Sequence, residues 1–173
     1  KGFYIFSFNI VGLNLGCVGY KWFTEADRRR SFPANEIKCD RLKERSWYRF
    51  SEESGTKMAT TCVPPYRCNT HAPSWLNGLH PEEHEGIVTR QVCFHWSNHC
   101  CHFTTIIRVR NCGSFYTYEL GPKIYVIFAI AVNDRYNWLS DEYINFWVWP
   151  QPSAGRMITA DKSLRRCERT LQQ

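Results

Sequence analysis

Apolar and polar positions alternate most regularly in the middle of the chain. Over residues 104–110, Ile107 and Val109 alternate with Arg108 and Arg110, the period of a strand buried on one face. Tyr116, Tyr118 and Leu120 repeat that period against Thr117 and Glu119. The Gly113-Ser114 pair between the two runs predicts a hairpin closed by a type II′ turn, which places glycine at its first central position. Upstream, Trp47-Tyr48-Arg49-Phe50 reads as a short aromatic strand, and residues 86–96, with Ile87, Val88 and Val92, as another. Asn77-Gly78 is the strongest tight-turn pair in the chain and predicts a type I′ turn with both residues at positive φ. Pro64-Pro65, Pro73 and Pro81 exclude a long helix through residues 63–81, because proline lacks an N–H and clashes with the preceding turn. The pattern predicts a small, β-rich, loop-heavy domain.

Cysteine usage sharpens that picture. The chain has 173 residues and nine cysteines, of which Cys39, Cys62, Cys68, Cys93, Cys100, Cys101 and Cys112 fall within residues 36–122. Small domains that bury too little apolar surface restrict the unfolded chain with disulfides, each worth ~2–4 kcal/mol. All seven are therefore structural disulfide candidates, and the fold class becomes a small, disulfide-stabilised β-rich domain. Their pairing does not follow from spacing. Disulfides persist in oxidising compartments, so the expected setting is extracellular, secreted or at the cell surface.

The stretches on either side differ in kind. Residues 1–35 are aromatic and basic with one cysteine, and residues 123–173 run from apolar through Trp-rich to basic. The net charge is +6, yet residues 36–122 carry ten Lys/Arg against nine Asp/Glu, so the excess sits in the flanks, including Arg28-Arg29-Arg30 and Arg165-Arg166. A basic face that tracks phosphates is not encoded in the cysteine-rich part, and no nucleic-acid partner is expected. The apolar run at 124–132 is nine residues long, short of the ~20 that cross a bilayer as a helix, so no transmembrane span is predicted. Phe3–Val18 is apolar but broken by Asn9 and Asn14.

One stretch invites sharper chemistry. Between Cys93 and His102 stand Cys93, His95, His99, Cys100, Cys101 and His102, and Cys and His are the ligands zinc selects. On a helix, His95/His99 or His80/His84 would share a face. An intracellular zinc-binding module built on this cluster is the alternative to a disulfide-bonded one. Against it, the chain has no CxxC pair, and on a strand Cys100 and Cys101 point to opposite sides. A Cys/His nucleophile needs a thiolate beside its base, and clustered cysteines are more often bridged, so no enzyme and no cofactor are expected. Glu82-Glu83-His84-Glu85 reads as a solvated acidic turn rather than a calcium loop. Trp47, Trp75 and Trp96 are read as packing against disulfides, with sugar stacking as the second reading.

These residues also carry a resemblance. Trp47-Tyr48-Arg49-Phe50, Gly55-Thr56-Lys57-Met58-Ala59, Thr61-Cys62-Val63-Pro64, Trp75-Leu76-Asn77-Gly78, His80-Pro81, His95-Trp96-Ser97, His99-Cys100-Cys101 and Tyr116-Thr117-Tyr118-Glu119-Leu120 are similar to the eight-cysteine domain of the uromodulin, zymogen-granule membrane glycoprotein and liver zona-pellucida protein family. Cys39 fits that domain's first cysteine. The resemblance covers about residues 36–122 and implies a non-catalytic interaction module of secreted or membrane-anchored glycoproteins. Its implied partners are other extracellular modules, glycoproteins or microbial surface molecules. Two departures stand out. No cysteine follows Leu120 before Cys167, and the family's glycosylation acceptors are lost, with Leu79 after Asn77-Gly78 and Glu119 in place of an Asn. The expectation is three bridges within Cys39–Cys112 with one cysteine left over. Residues 1–35 and 123–173 are then expected to lie outside the module and to pack poorly, as coding sequence read past its borders. The alternative is a genuine extension in which Cys17 or Cys167 supplies the partner.

Overall fold

The computed structural model describes residues 15–40, 42–122 and 128–133. Seven strands form one mixed sheet: β1 (Lys21–Phe23), β2 (Ser46–Phe50), β3 (Ala72–Asn77), β4 (Ile87–Trp96), β5 (His99–Asn111), β6 (Tyr116–Leu120) and β7 (Phe128–Ile130). Their spatial order is β1-β2-β6-β5-β4-β3-β7. The central pairs are antiparallel, whereas β1 runs parallel to β2 and β7 parallel to β3. The only helical pieces among the described residues are two 3-10 turns, Ala26–Arg28 and Glu83–Glu85. The domain is thus β-rich and disulfide-stabilised, as the pattern predicts.

One face of the sheet makes the core. Tyr48 and Phe50 of β2, Leu76 of β3, Val92 and Phe94 of β4, Ile107 and Val109 of β5, and Tyr118 and Leu120 of β6 all point to it, each pair two residues apart. Met58 and Val132 come from outside the strands and are fully buried among them. The predicted II′ hairpin is present: Gly113 has φ 82° and the Cys112 N–H donates to Phe115 O at 2.8 Å.

The predicted type I′ turn is elsewhere. At Asn77-Gly78 only Gly78 is at positive φ, because Asn77 is still extended as the last residue of β3. The two-residue turn with both φ positive is Ser97-Asn98, at 47° and 66°, joining β4 to β5. That turn makes residues 97–103 part of a long hairpin, with Trp96 opposite His99 and Phe94 opposite Phe103.

The flanks also depart from expectation where they are described. Residues 15–35 and 128–133 contribute both edge strands, so the packed unit is wider than 36–122. Three sets of polar groups hold the added pieces. The Arg28 guanidinium donates to both oxygens of buried Asp40, at 3.0 and 2.7 Å, and Asp40 also accepts the Ile130 N–H at 2.9 Å. Residues 131–133 thread between two loops: Arg30 N–H donates to Val132 O at 2.8 Å, Val132 N–H to Arg28 O at 2.9 Å, and Ala59 N–H to Ala131 O at 3.1 Å. Buried Asn69 accepts the N–H groups of Asn35 and Glu36 and donates to Asp27. Buried backbone groups need partners, and each segment supplies them to the others.

Candidate functional site

Three bridges are described: Cys62–Cys100, Cys93–Cys101 and Cys17–Cys112, with Cα separations of 5.6, 4.6 and 5.7 Å. Cys39 is disulfide-bonded as well. Cys68 is buried in a small cluster with Ala59, Val63 and Ala131, and none of the three described bridges uses it. Adjacent Cys100 and Cys101 reach opposite ways from β5. Cys101 pairs across the hairpin to β4, while Cys100 pins the loop that carries Cys62. The expected set of three bridges inside Cys39–Cys112 is corrected to two among those described, because Cys112 bonds to Cys17, across 95 residues. Cys112 sits at the rim of the sheet where the chain near Gly16 crosses the Trp47 ring, and this brings Cys17 within reach.

The zinc alternative fails on its donors. Cys93, Cys100 and Cys101 all carry bridges, and a bridged sulfur is not a thiolate ligand. Cys62, His95 and Cys100 do converge, but the two sulfurs are bonded to each other. The His95 Nδ1–H donates to Val63 O at 2.9 Å and lies 3.3 Å from Cys62 Sγ, so this ring nitrogen carries a proton. His95 and His99 sit on two strands across a turn, not on a helix. His99 and His102 are exposed on β5. His84 lies in the 3-10 turn, where Glu82 and Glu85 cap each other's backbone in a reciprocal box. The acidic run is therefore used locally.

His80 is the titratable group most changed by its surroundings. Burial first, and the positive charges of Lys57 and Arg90 next, push its pKa down to about 4. Its Nε2 is 2.8 Å from the Tyr118 hydroxyl, which accepts the Met58 N–H at 3.0 Å. Tyr118 then donates its own proton to neutral His80, and burial holds the phenol far above its usual range. Glu119, which replaces the resembled family's acceptor Asn, receives Arg108 Nε at 2.7 Å. The Arg108 hydrogen bonds lower its pKa against a smaller opposing effect of burial.

The tryptophans divide in an order that sequence reading did not give. Trp47 is buried, Trp75 donates its Nε1–H to Cys100 O at 2.8 Å, and Trp96 packs against the core. Trp22, on edge strand β1, is 50% exposed. It borders a cleft of about 510 Å³ shared with β2, the 51–57 turn and the β5–β6 hairpin. Within it the Arg49 guanidinium lies 4.6, 5.6 and 3.7 Å from the ring centroids of Trp22, Tyr20 and Phe115. A second feature is the outer sheet face, where Ile106 is 58% exposed opposite Gln91, and where Leu79 beyond β3 is 81% exposed.

With this geometry in place, comparison with known proteins decides the family. The family model for the uromodulin-like domain of eight cysteines matches residues 48–129. Residues 48–129 are a uromodulin-like domain. Over 105 residues, 60% of this chain, the sequence is 50% identical to uromodulin of Rattus norvegicus and 48% identical to that of Mus musculus, covering 16% of each. It is 45% identical to pancreatic secretory granule membrane major glycoprotein GP2 of Canis lupus familiaris, covering 20% of that protein. The chain thus spans between a sixth and a fifth of the length of these relatives. The family match begins inside β2 and ends inside β7, so β1 lies outside it. The bridges and the glycoprotein relatives together make this an extracellular chain, secreted or at the cell surface. Among the described residues no helix is long and apolar enough to cross a membrane.

Proposed function

We propose that the chain is a non-catalytic extracellular interaction module of a uromodulin-type glycoprotein, and that it binds other extracellular modules, glycoproteins or microbial surface molecules. The uromodulin-like match over residues 48–129 carries this reading. The chemistry of the sites supports it. The Cys62–His95 pair, which has the composition of a nucleophile and its base, has its sulfur in a bridge. The bridges fix a sheet whose outer face offers Ile106 to solvent, and exposed apolar side chains on a rigid scaffold suit contact with a partner.

The test immobilises the secreted, non-reduced chain and measures binding of intact uromodulin and of purified bacterial adhesins by surface plasmon resonance. Saturable binding is expected, lost on reduction and weakened by Ile106→Lys. Seven titratable thiols between Cys39 and Cys112 in native material, with one equivalent of bound zinc, would overturn the reading.

A further inference from the structure

The cleft beside Trp22 has a composition that no structural role accounts for. Two of its lining groups, Arg49 Nε and Ser51 Oγ, are buried with no hydrogen-bond partner among the described residues. Polar atoms removed from water are normally paired, and two such atoms facing one cavity call for a common explanation. Arg49 and Ser51 are two residues apart along an extended chain, so both emerge on the same side of β2 and its continuation, away from core residues Tyr48 and Phe50. The guanidinium cannot shift easily to find a partner, because three aromatic rings surround it and its Nη1 donates to the Tyr20 hydroxyl at 2.9 Å.

Charge selects the ligand class. The cleft contains Arg49 and Lys57 against Glu52 and Glu53, a formal balance of zero, so neither an anion nor a cation is favoured. Donors and acceptors alternate around it, and an aromatic face, that of Trp22, is half open to solvent. A sugar ring matches this arrangement: an apolar C–H face to lie on the indole, and a rim of hydroxyls that both donate and accept. The volume of about 510 Å³ falls within the range of small-molecule sites. We propose that this cleft binds a neutral sugar unit of a glycan, with Trp22 as the stacking platform and with Arg49 Nε and Ser51 Oγ as hydrogen-bonding groups. The inference rests on the extracellular interaction reading and gives it a ligand class. With no Asn-x-Ser/Thr acceptor in its sequence, the chain would then read glycans on other molecules.

The secreted full chain, bridges intact, is titrated with methyl glycosides of glucose, galactose, mannose, N-acetylglucosamine and N-acetylgalactosamine, and with N-acetylneuraminic acid. Binding is followed by saturation-transfer difference NMR. At least one neutral glycoside is expected to bind saturably. Its affinity should fall about tenfold in Trp22→Ala, which removes an aromatic contact, and should be largely kept in Trp22→Phe. Ser51→Ala, which leaves no protein partner unpaired, should weaken binding with an unchanged melting temperature. Binding that neither variant weakens would place the sugar elsewhere and overturn the proposal. So would binding of the acidic sugar alone, or of no sugar. In the last case, continued capture of enzymatically deglycosylated uromodulin would leave the interaction reading standing and the sugar cleft refuted. Loss of both would refute both.

Discussion

His80 takes no proton while the chain is folded, because its Nε2 is occupied by the Tyr118 hydroxyl and its ring is buried beside two cations. The unfolded chain has no such restriction and protonates near the usual histidine value of about 6.5. A folded pKa near 4 therefore means that stability is complete above about pH 6.5 and declines as pH falls toward 4, the unfolded state binding the extra proton. The loss across that window is roughly 3 kcal/mol. Urea unfolding at pH 7.5, 6, 5 and 4 should show it, and His80→Gln should flatten the difference curve down to pH 5, where carboxylates begin to contribute. A second residue-scale prediction concerns Leu79, which is 81% exposed next to exposed Asn77. Leu79→Thr creates an Asn-x-Thr acceptor at Asn77 and should leave the melting temperature unchanged. On secretion the variant should gain one glycan, visible as a mobility shift that deglycosylation reverses. A variant that stays unglycosylated would show that the loop is covered.

At the scale of elements, the 131–133 segment depends on its neighbours' shape. A side chain at Gly55, which has φ 104°, would meet Asn133 O at 2.3 Å and Val132 Cγ1 at 2.7 Å, so the backbone itself would have to move. Gly55→Ala should cost about 2–4 kcal/mol through strain and overpacking. Asp40→Ala would leave the buried Arg28 charge and the Ile130 N–H without their acceptor, at a cost of about 3–5 kcal/mol. Chemical denaturation measures both, and hydrogen exchange should show β7 losing protection first. These contacts explain what could be read beforehand. β2, β4, β6 and the Gly113 hairpin were legible because each carries its own period or turn residues. β3 was not, since Pro73 argues against a strand; it pairs with Ala129 of the short edge strand β7. β1 and β7 have three residues each and owe their place to partners elsewhere in the chain, which no local pattern records. The Ser97-Asn98 turn was legible in principle, because Asn tolerates positive φ, but the cysteines and histidines around it drew a metal-site reading. The Trp22 cleft draws on three distant segments, and only the fold brings them together.

For the molecule as a whole, the Cys17–Cys112 bridge joins one end of the described chain to the β5–β6 hairpin. Closing a loop of 95 residues restricts the unfolded ensemble by roughly 4 kcal/mol, so replacing both cysteines with serine should lower the denaturation midpoint accordingly. Limited proteolysis of that variant should cut first near residues 15–20. The same bridge sets a problem of timing. A chain entering an oxidising lumen from its amino end delivers Cys17 first, then Cys39, Cys62 and Cys68, before Cys112 arrives. The first thiol to emerge must wait for a distant partner while nearer ones pass it, and bridges form on the scale of seconds to hours. Early pairs are consequently provisional, and reaching the native set requires thiol–disulfide exchange, in which a displaced thiolate attacks the next bridge. Yield of this chain should follow the isomerase activity of its host compartment more closely than its final stability.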